Sequence, residues 1–156
     1  MAGTHIDTLF LPFVMGDVPC TGKILFVGGL CHPFVATLNN VYVYQPFKPW
    51  ADSFNSSPCV LLKNMSGKAE YDVCLVNIPK QKEEAQFWLA SALENLKAGG
   101  VLAAAAANDS GGARIDGWMK ELGLETHVMS KNKARVVWAQ KPQQIKDDVV
   151  AGWKDS

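Results

Sequence analysis

Short apolar runs alternate with polar or amphipathic segments along most of the chain. Runs rich in β-branched or aromatic residues, bounded by glycine, proline or polar clusters, predict strands. These runs are residues 23–29, 41–44, 59–62, 71–77 and 101–107. Two further strands, 125–130 and 134–140, flank Lys131-Asn132-Lys133 and predict a hairpin.

The longest helix is predicted over residues 82–97. Its apolar positions fall on one helical face and its charged positions largely on the other. The apolar face is made of Ala85, Trp88, Leu89, Ala92, Leu93 and Leu96. Ala98-Gly99-Gly100 is predicted to end this helix, since glycine accepts a left-handed turn. A second helix is predicted over 113–122, closed by Gly123, whereas 30–38 and 46–54 leave room for brief helices at most.

This order of elements predicts an α/β fold. Strands that alternate with helices form a mostly parallel, twisted sheet with helices on both faces, and the hairpin adds antiparallel strands at the C-terminal end. That arrangement is typical of the Rossmann-like class I methyltransferase fold, and dehydrogenases of the Rossmann type do not usually end in such a hairpin.

Bulk composition excludes several classes of protein. The 156 residues are enough for one well-packed domain. Lysine plus arginine and aspartate plus glutamate both total 15, and this balance argues against a DNA-binding or other charge-driven nucleic-acid protein. No apolar run approaches the roughly 20 residues that span a bilayer. We therefore expect no membrane partner and a cytoplasmic location.

Cysteine and histidine spacing gives no sign of a metal site or a catalytic triad. The four cysteines lack a C-x-x-C pair and are expected to be reduced thiols. The three histidines, His5, His32 and His127, stand outside known nucleophile motifs. We predict no metal and no catalytic residue in this chain.

Four sequence blocks carry a resemblance to a known family. They are Pro-Lys-Gln-Lys-Glu-Glu-Ala-Gln at 79–86, Leu-x-x-Gly-Gly at 96–100, Ala-Asn-Asp-Ser-Gly-Gly at 107–112 and Ser-Lys-Asn-Lys-Ala-Arg-Val-Val-Trp at 130–138. Together they resemble the N-terminal half of RsmC-type rRNA guanine-N2 methyltransferases. The resemblance is strongest over residues 70–140.

The resemblance implies a two-domain parent protein. In that family a C-terminal copy of the fold binds S-adenosylmethionine and carries an Asn-Pro-Pro-Phe type motif, while the N-terminal copy has lost both functions and serves structure and substrate recognition. Residues 1–140 would then be the methyltransferase-like domain, and 141–156 a linker toward the catalytic domain. The expected partners are that C-terminal domain and rRNA.

The slots for a cofactor are degenerate. Gly28 and Gly29 keep the glycine turn after the first strand, but Leu-Cys-His-Pro follows and no carboxylate precedes it. Gln45 stands where a carboxylate should accept from the ribose hydroxyls, and Asn77-Ile78-Pro79-Lys80 replaces the Asn-Pro-Pro-aromatic motif. Three altered slots predict a vestigial site, with no cofactor in this domain and S-adenosylmethionine in the C-terminal one.

Two polar features remain candidates for contact with RNA. The basic residues Lys80, Lys82, Lys131, Lys133 and Arg135 could meet phosphates if the fold gathers them, and a solvated face is the alternative. The loop at 108–112 could cradle a phosphate or could cap the following helix.

The leading hypothesis is a cofactor-free N-terminal domain that braces a catalytic domain and assists rRNA recognition. The parent protein would then be the S-adenosylmethionine-dependent enzyme, and this segment alone inactive. One alternative is a self-sufficient methyltransferase with a divergent cofactor pocket. Another is a stand-alone scaffold of decayed methyltransferase fold that binds protein.

Overall fold

The structure is a computed structural model that describes residues 5–155. Its strands are β1 Ile24–Val27, β2 Val41–Tyr44, β3 Val60–Leu62, β4 Tyr71–Asn77, β5 Leu96–Ala107, β6 His127–Lys131 and β7 Ala134–Gln140. Its helices are α1 His5–Leu9, α2 Leu11–Val14, α3 Pro33–Ala36, α4 Lys48–Asp52, α5 Lys82–Asn95, α6 Ile115–Glu121 and α7 Asp147–Lys154. Two 3-10 turns, Asn108–Ser110 and Gly112–Arg114, follow β5.

The seven strands form one sheet in the order β3-β2-β1-β4-β5-β7-β6. β1 pairs in parallel with β2 and β4, and β4 pairs in parallel with β5. β7 is antiparallel to both β5 and β6. The predicted fold, a mostly parallel sheet with a C-terminal antiparallel hairpin, is confirmed. The strand order reverses between β1 and β4, and that reversal opens a crevice at the carboxyl edge of the sheet.

The central strands β1, β4 and β5 are buried on both faces over most of their length, as their continuous apolar runs require. Along β1, Leu25 and Val27 belong to one buried cluster with residues of α5 and α6, while Ile24 and Phe26 belong to a second cluster with residues of α1. In β5, the alanines from Ala103 to Ala106 are also buried, and their side chains alternate between the two faces. This run pairs in register with both β4 and β7, so its assignment as a strand is confirmed.

The end of α5 differs from the prediction. The helix stops at Asn95, and Leu96 is already extended and pairs with Tyr71 in the sheet. The register then shifts before Val101 pairs with Val73, so the glycines form an irregularity in β5 and do not cap the helix. Burial of Leu96 in the core favours this earlier exit.

Lys141 supplies the C-terminal cap in place of glycine. Its Nζ donates to the carbonyl oxygens of Leu93 at 2.7 Å and Leu96 at 2.6 Å. A cation at this position also interacts favourably with the helix dipole. Burial lowers the pKa of the Lys141 ammonium below its ordinary value.

The segment predicted as a linker contains α7, which packs along α5. Val150 is buried, and Ile145, Val149 and Trp153 are half-buried against the same core. Lys154 forms an ion pair with Glu94. At least through Lys154 this segment therefore rests on the domain, and its continuation into a catalytic domain stays a prediction.

The hairpin closes through a two-residue turn. Asn132 and Lys133 have φ angles of 57° and 55°, the left-handed backbone that a type I′ turn requires. The hydroxyl of Thr8 donates to the carbonyl oxygen of Lys131 at 3.0 Å, so α1 holds the turn from one side. No helix within residues 5–155 is both long enough and apolar enough to cross a membrane.

Trp88 gives a direct test of the packing of α5. Its side chain is 6% exposed, and its ring meets Tyr44 edge-on at 6.2 Å. We expect Trp88→Ala to lower the free energy of unfolding by about 3–5 kcal/mol, because a large buried ring leaves a cavity. Chemical denaturation measures the change. Trp50→Ala is the matched control, since Trp50 is 47% exposed, and equal effects of the two changes would contradict the packing.

Candidate functional site

The carboxyl ends of β1, β2, β4 and β5 meet at one edge of the sheet and enclose a cavity of about 390 Å³. Three of the four residues predicted for a degenerate cofactor slot, Gly28, Gln45 and Asn77, line it, and Gly29 belongs to the same turn. The other lining residues are His5, Leu30, Trp50, Ile78, Pro79, Lys80, Trp88, Ala106, Ala107 and Ser110. The fold therefore brings the predicted slot residues together.

The glycine turn after β1 is filled by the protein itself. Gly28 has a φ of +71°, and its N–H donates to the carbonyl oxygen of Tyr44 at 2.7 Å. A β-carbon at Gly28 would lie 2.5 Å from Cζ3 of Trp88 and 2.9 Å from the carbonyl oxygen of Asn77. A glycine is required here because the indole of α5 packs against the turn.

The two buried amides of the slot are held by protein groups. Nδ2 of Asn77 donates to the carbonyl oxygen of Gly28 at 3.0 Å, while Oδ1 accepts from Nε2 of His5 at 2.8 Å. Nε2 of Gln45 donates to the carbonyl oxygen of Gly29 at 2.8 Å, and Oε1 accepts from the N–H of Phe47 at 3.0 Å. Among the described residues, none that lines this cavity is a carboxylate. The arrangement thus fixes the turn and offers no acidic partner to a ribose.

A second cavity, of about 260 Å³, adjoins the first and shares Pro79, Lys80 and Ser110 with it. Its other lining residues are Lys82, Asp109, Gly111, Arg114 and Trp118. The guanidinium of Arg114 lies over the Trp118 ring at 6.0 Å from the centroid. Sequence reasoning missed Arg114 and Trp118, although the basic residue just after Ser-Gly-Gly was a signal that could have found the first.

The hairpin cations lie at the same edge of the sheet. Ala134 pairs with Ala107 at the end of β5, and the N–H of Asn108 donates to the carbonyl oxygen of Lys133 at 2.9 Å. Lys131 and Lys133 are exposed, as are Lys80 and Lys82. Within residues 5–155, none of these four lysines is in a salt bridge.

Arg135 differs from the four lysines. It is half-buried and helps to lower the pKa of the Asp116 carboxyl. The larger causes of that lowered pKa are the hydrogen bond from Thr126 and the contact with Lys120. Arg135 therefore already has a carboxylate in its surroundings.

The loop after β5 does not cap the following helix. Neither α6 nor the two 3-10 turns has a side-chain cap, and Gly111 stands between the turns with a φ of +107°. The predicted capping role is thus wrong. Ser110 and Gly111 instead line the second cavity.

The histidines have separate structural surroundings. Nε2 of His32 donates to Oδ1 of Asp7 at 2.6 Å, and the ring of His127 stacks on Trp138 at 5.6 Å. Of the residues that the structure describes, no group of three or more histidine, cysteine or acidic side chains could hold a metal ion.

A crevice at the carboxyl edge of β1, β2 and β4, in a parallel sheet that ends in an antiparallel hairpin, defines a domain of the class I methyltransferase type. The chain belongs to the methyltransferase small domain N-terminal family, whose model matches residues 21–154. None of the curated proteins matches the sequence.

Solved methyltransferases share this fold. The 16S rRNA N2 methyltransferase RsmC of T. thermophilus, in complex with AdoMet and guanosine, superimposes with a TM-score of 0.70 and 18% identity over 91% of this chain and 40% of that one. A SAM-dependent O-methyltransferase from Thermotoga maritima superimposes with a TM-score of 0.63 and 14% identity, over 90% of this chain and 66% of that one. An rRNA methylase from Streptococcus thermophilus superimposes with a TM-score of 0.57 and 14% identity, over 92% of this chain and 99% of that one. At these identities the likeness concerns the fold, and the chain spans less than half the length of RsmC.

The slot geometry predicts that the chain does not bind S-adenosylmethionine usefully. A missing ribose carboxylate and an occupied glycine turn remove charge-assisted hydrogen bonds worth about 1.5–3 kcal/mol each, enough to move a micromolar dissociation constant past millimolar. Calorimetric titration of the folded chain measures this affinity. A micromolar dissociation constant would contradict the prediction.

Asp116 predicts a feature of the acid unfolding curve. Because its pKa is lowered in the folded state, the unfolded chain binds more protons in acid, and the stability that Asp116 contributes is lost as the pH falls through its folded pKa. We expect the free energy of unfolding of Asp116→Asn to fall less steeply than that of the wild type below the ordinary carboxyl pKa. If the free energy of unfolding falls equally steeply with decreasing pH in both proteins, Asp116 has no such role.

Proposed function

We propose that this chain is the N-terminal domain of an RsmC-like rRNA guanine-N2 methyltransferase, working in the cytoplasm. In this role it braces a C-terminal catalytic domain and helps to hold the RNA substrate, while S-adenosylmethionine binds to the catalytic domain. Membership of the N-terminal family supports this proposal, as does the short span of the chain relative to RsmC.

The single observation that carries the proposal is that side chains of the protein itself pack against and hydrogen-bond to the glycine turn after β1. Trp88 packs against Gly28, and the amides of Asn77 and Gln45 are hydrogen-bonded to the turn's own carbonyl oxygens. A domain that keeps the fold, packs Trp88 against its glycine turn and lines the adjoining cavity with no described carboxylate is suited to a role other than methyl transfer. This supports the non-catalytic function over that of a self-sufficient methyltransferase.

An apolar edge of the sheet supports the bracing role. β3 is one of the two edge strands, and its residues Val60 and Leu61 are 46% and 39% exposed. Exposed apolar side chains on an unpaired strand edge favour association with another protein surface. In the proposed function, the partner that covers this edge is the catalytic domain.

The exposed cations support contact with RNA. Lys80, Lys82, Lys131 and Lys133 lie at the carboxyl edge of the sheet without salt-bridge partners among residues 5–155. Such side chains are suited to phosphate oxygens, whose recognition positions RNA without reading its sequence. Because the whole chain has zero net charge, binding by this domain alone would be weak.

The test of this function is a triple change in the hairpin of the full-length enzyme. Replacing Lys131, Lys133 and Arg135 by alanine should weaken binding to rRNA. The dependence of log affinity on log salt should become shallower by about one unit for each phosphate group that the variant no longer neutralises. The affinity of the enzyme for S-adenosylmethionine should stay unchanged. A salt series of RNA-binding titrations measures the first two effects, and a cofactor titration measures the third.

The matched control replaces three exposed lysines, Lys48, Lys63 and Lys68, which line neither cavity. It removes the same number of charges and should leave the salt slope close to that of the wild type. Wild-type binding and methylation by the hairpin variant across the whole salt series would reduce the hairpin cations to a solvated face.

A further inference from the structure

The two adjoining cavities at the carboxyl edge differ in character. The larger is mainly apolar and aromatic, whereas the smaller is polar and basic. They meet at Pro79, Lys80 and Ser110, which belong to both. A ligand that occupied both would need a flat apolar part joined to an anionic part.

The aromatic cavity suits a planar ring. Trp88 and Trp50 both line it, and Trp50 is 47% exposed with Phe47 packed edge-on against it at 4.9 Å. A half-exposed tryptophan at the rim of a cavity is suited to base stacking, which tolerates any of the four bases. The cavity volume of about 390 Å³ lies within the roughly 300–1,000 Å³ of small-molecule sites.

The basic cavity suits a phosphate. Three cations, Lys80, Lys82 and Arg114, line it against one carboxylate, that of Asp109. Arg114 lies over the Trp118 ring, and Ser110 adds a hydroxyl group. This charge balance attracts a phosphate group and disfavours the positive sulfonium of S-adenosylmethionine.

We propose that the two cavities form a binding site for one nucleotide of single-stranded RNA, with its base against Trp50 and Trp88 and its phosphate among Lys80, Lys82 and Arg114. The inference rests on the proposed function, since it names the part of the RNA that the domain holds: an unstacked nucleotide taken by its base face and its phosphate. Unpaired nucleotides are the parts of RNA whose base faces a protein can reach.

The experiment titrates the 156-residue chain with nucleoside 5′-monophosphates, with the corresponding nucleosides and with a short single-stranded RNA, following tryptophan fluorescence and calorimetry. Trp50→Ala should lower the affinity for the monophosphate and for the nucleoside alike, by about 10-fold, since both stack on the ring. Trp50→Phe should recover most of the affinity. Arg114→Gln should weaken the monophosphate by about 10-fold and leave the nucleoside unchanged.

Lys68→Gln is the charge control, because Lys68 is exposed and lines neither cavity. It should leave all three ligands unaffected. An equal loss of monophosphate affinity in Lys68→Gln and Arg114→Gln would show diffuse charge attraction and overturn the site. Monophosphate affinity that is unchanged in Trp50→Ala would also overturn it.

Two further outcomes separate the source of the nucleotide and the fate of the proposed function. The short RNA should bind at least about 10-fold more tightly than the monophosphate, because neighbouring nucleotides add phosphates, and equal affinity would overturn the assignment to RNA in favour of a free nucleotide. If the hairpin variant loses rRNA binding in the full-length enzyme while Trp50→Ala and Arg114→Gln bind every ligand normally, the RNA role stands and the nucleotide site is overturned. In the opposite case, Trp50→Ala and Arg114→Gln weaken monophosphate binding as expected, but the hairpin variant of the full-length enzyme binds rRNA like the wild type. That result would confirm the site and contradict the role of the hairpin cations.

Discussion

The packing of Trp88 against Gly28 is the constraint on which the functional edge depends. The left-handed backbone at Gly28 turns the chain away from β1, and the indole of α5 occupies the space that a side chain would need. Asn77 ties the same turn to the end of β4, and Gln45 ties it to the end of β2. Three parallel strands are therefore joined at their carboxyl ends by protein groups, in a fold that commonly keeps this place open for a ligand.

That arrangement leaves two distinct features at this edge, the glycine turn and the crevice beside it. The amides of Asn77 and Gln45 each give one N–H to a backbone carbonyl oxygen of the turn, and each amide oxygen accepts one further hydrogen bond from the protein, so both side chains stabilise the turn. The crevice beside it remains, because the strand order still reverses between β1 and β4. Its walls are now aromatic on one side and basic on the other, and charge is concentrated there although the chain has zero net charge.

The C-terminal segment stabilises the helix that builds this edge. Lys141 donates to the last carbonyl oxygens of α5, and α7 packs along the same helix through Val150 and the Lys154–Glu94 ion pair. A helix held at its C-terminal end and along its length keeps Trp88 in register with the glycine turn. The path toward any following domain thus starts from a segment that rests on the domain itself.

The sequence alone determined the order and type of the main elements, because burial on both faces of a sheet requires continuous apolar runs and a surface helix requires an apolar stripe. It also indicated the glycine turn, the altered cofactor slots and most of the basic residues. Only the tertiary structure decided the rest. The end of α5 moved from the predicted Lys97 to Asn95 because Leu96 is drawn into the core, and the tail beyond residue 140 formed a helix because α5 offers an apolar surface to it. The partners His5–Asn77, Trp88–Gly28 and Arg114–Trp118 likewise depend on which chain ends the sheet brings together. Local patterns indicate which strand ends can meet, but they do not determine which side chains pack together there.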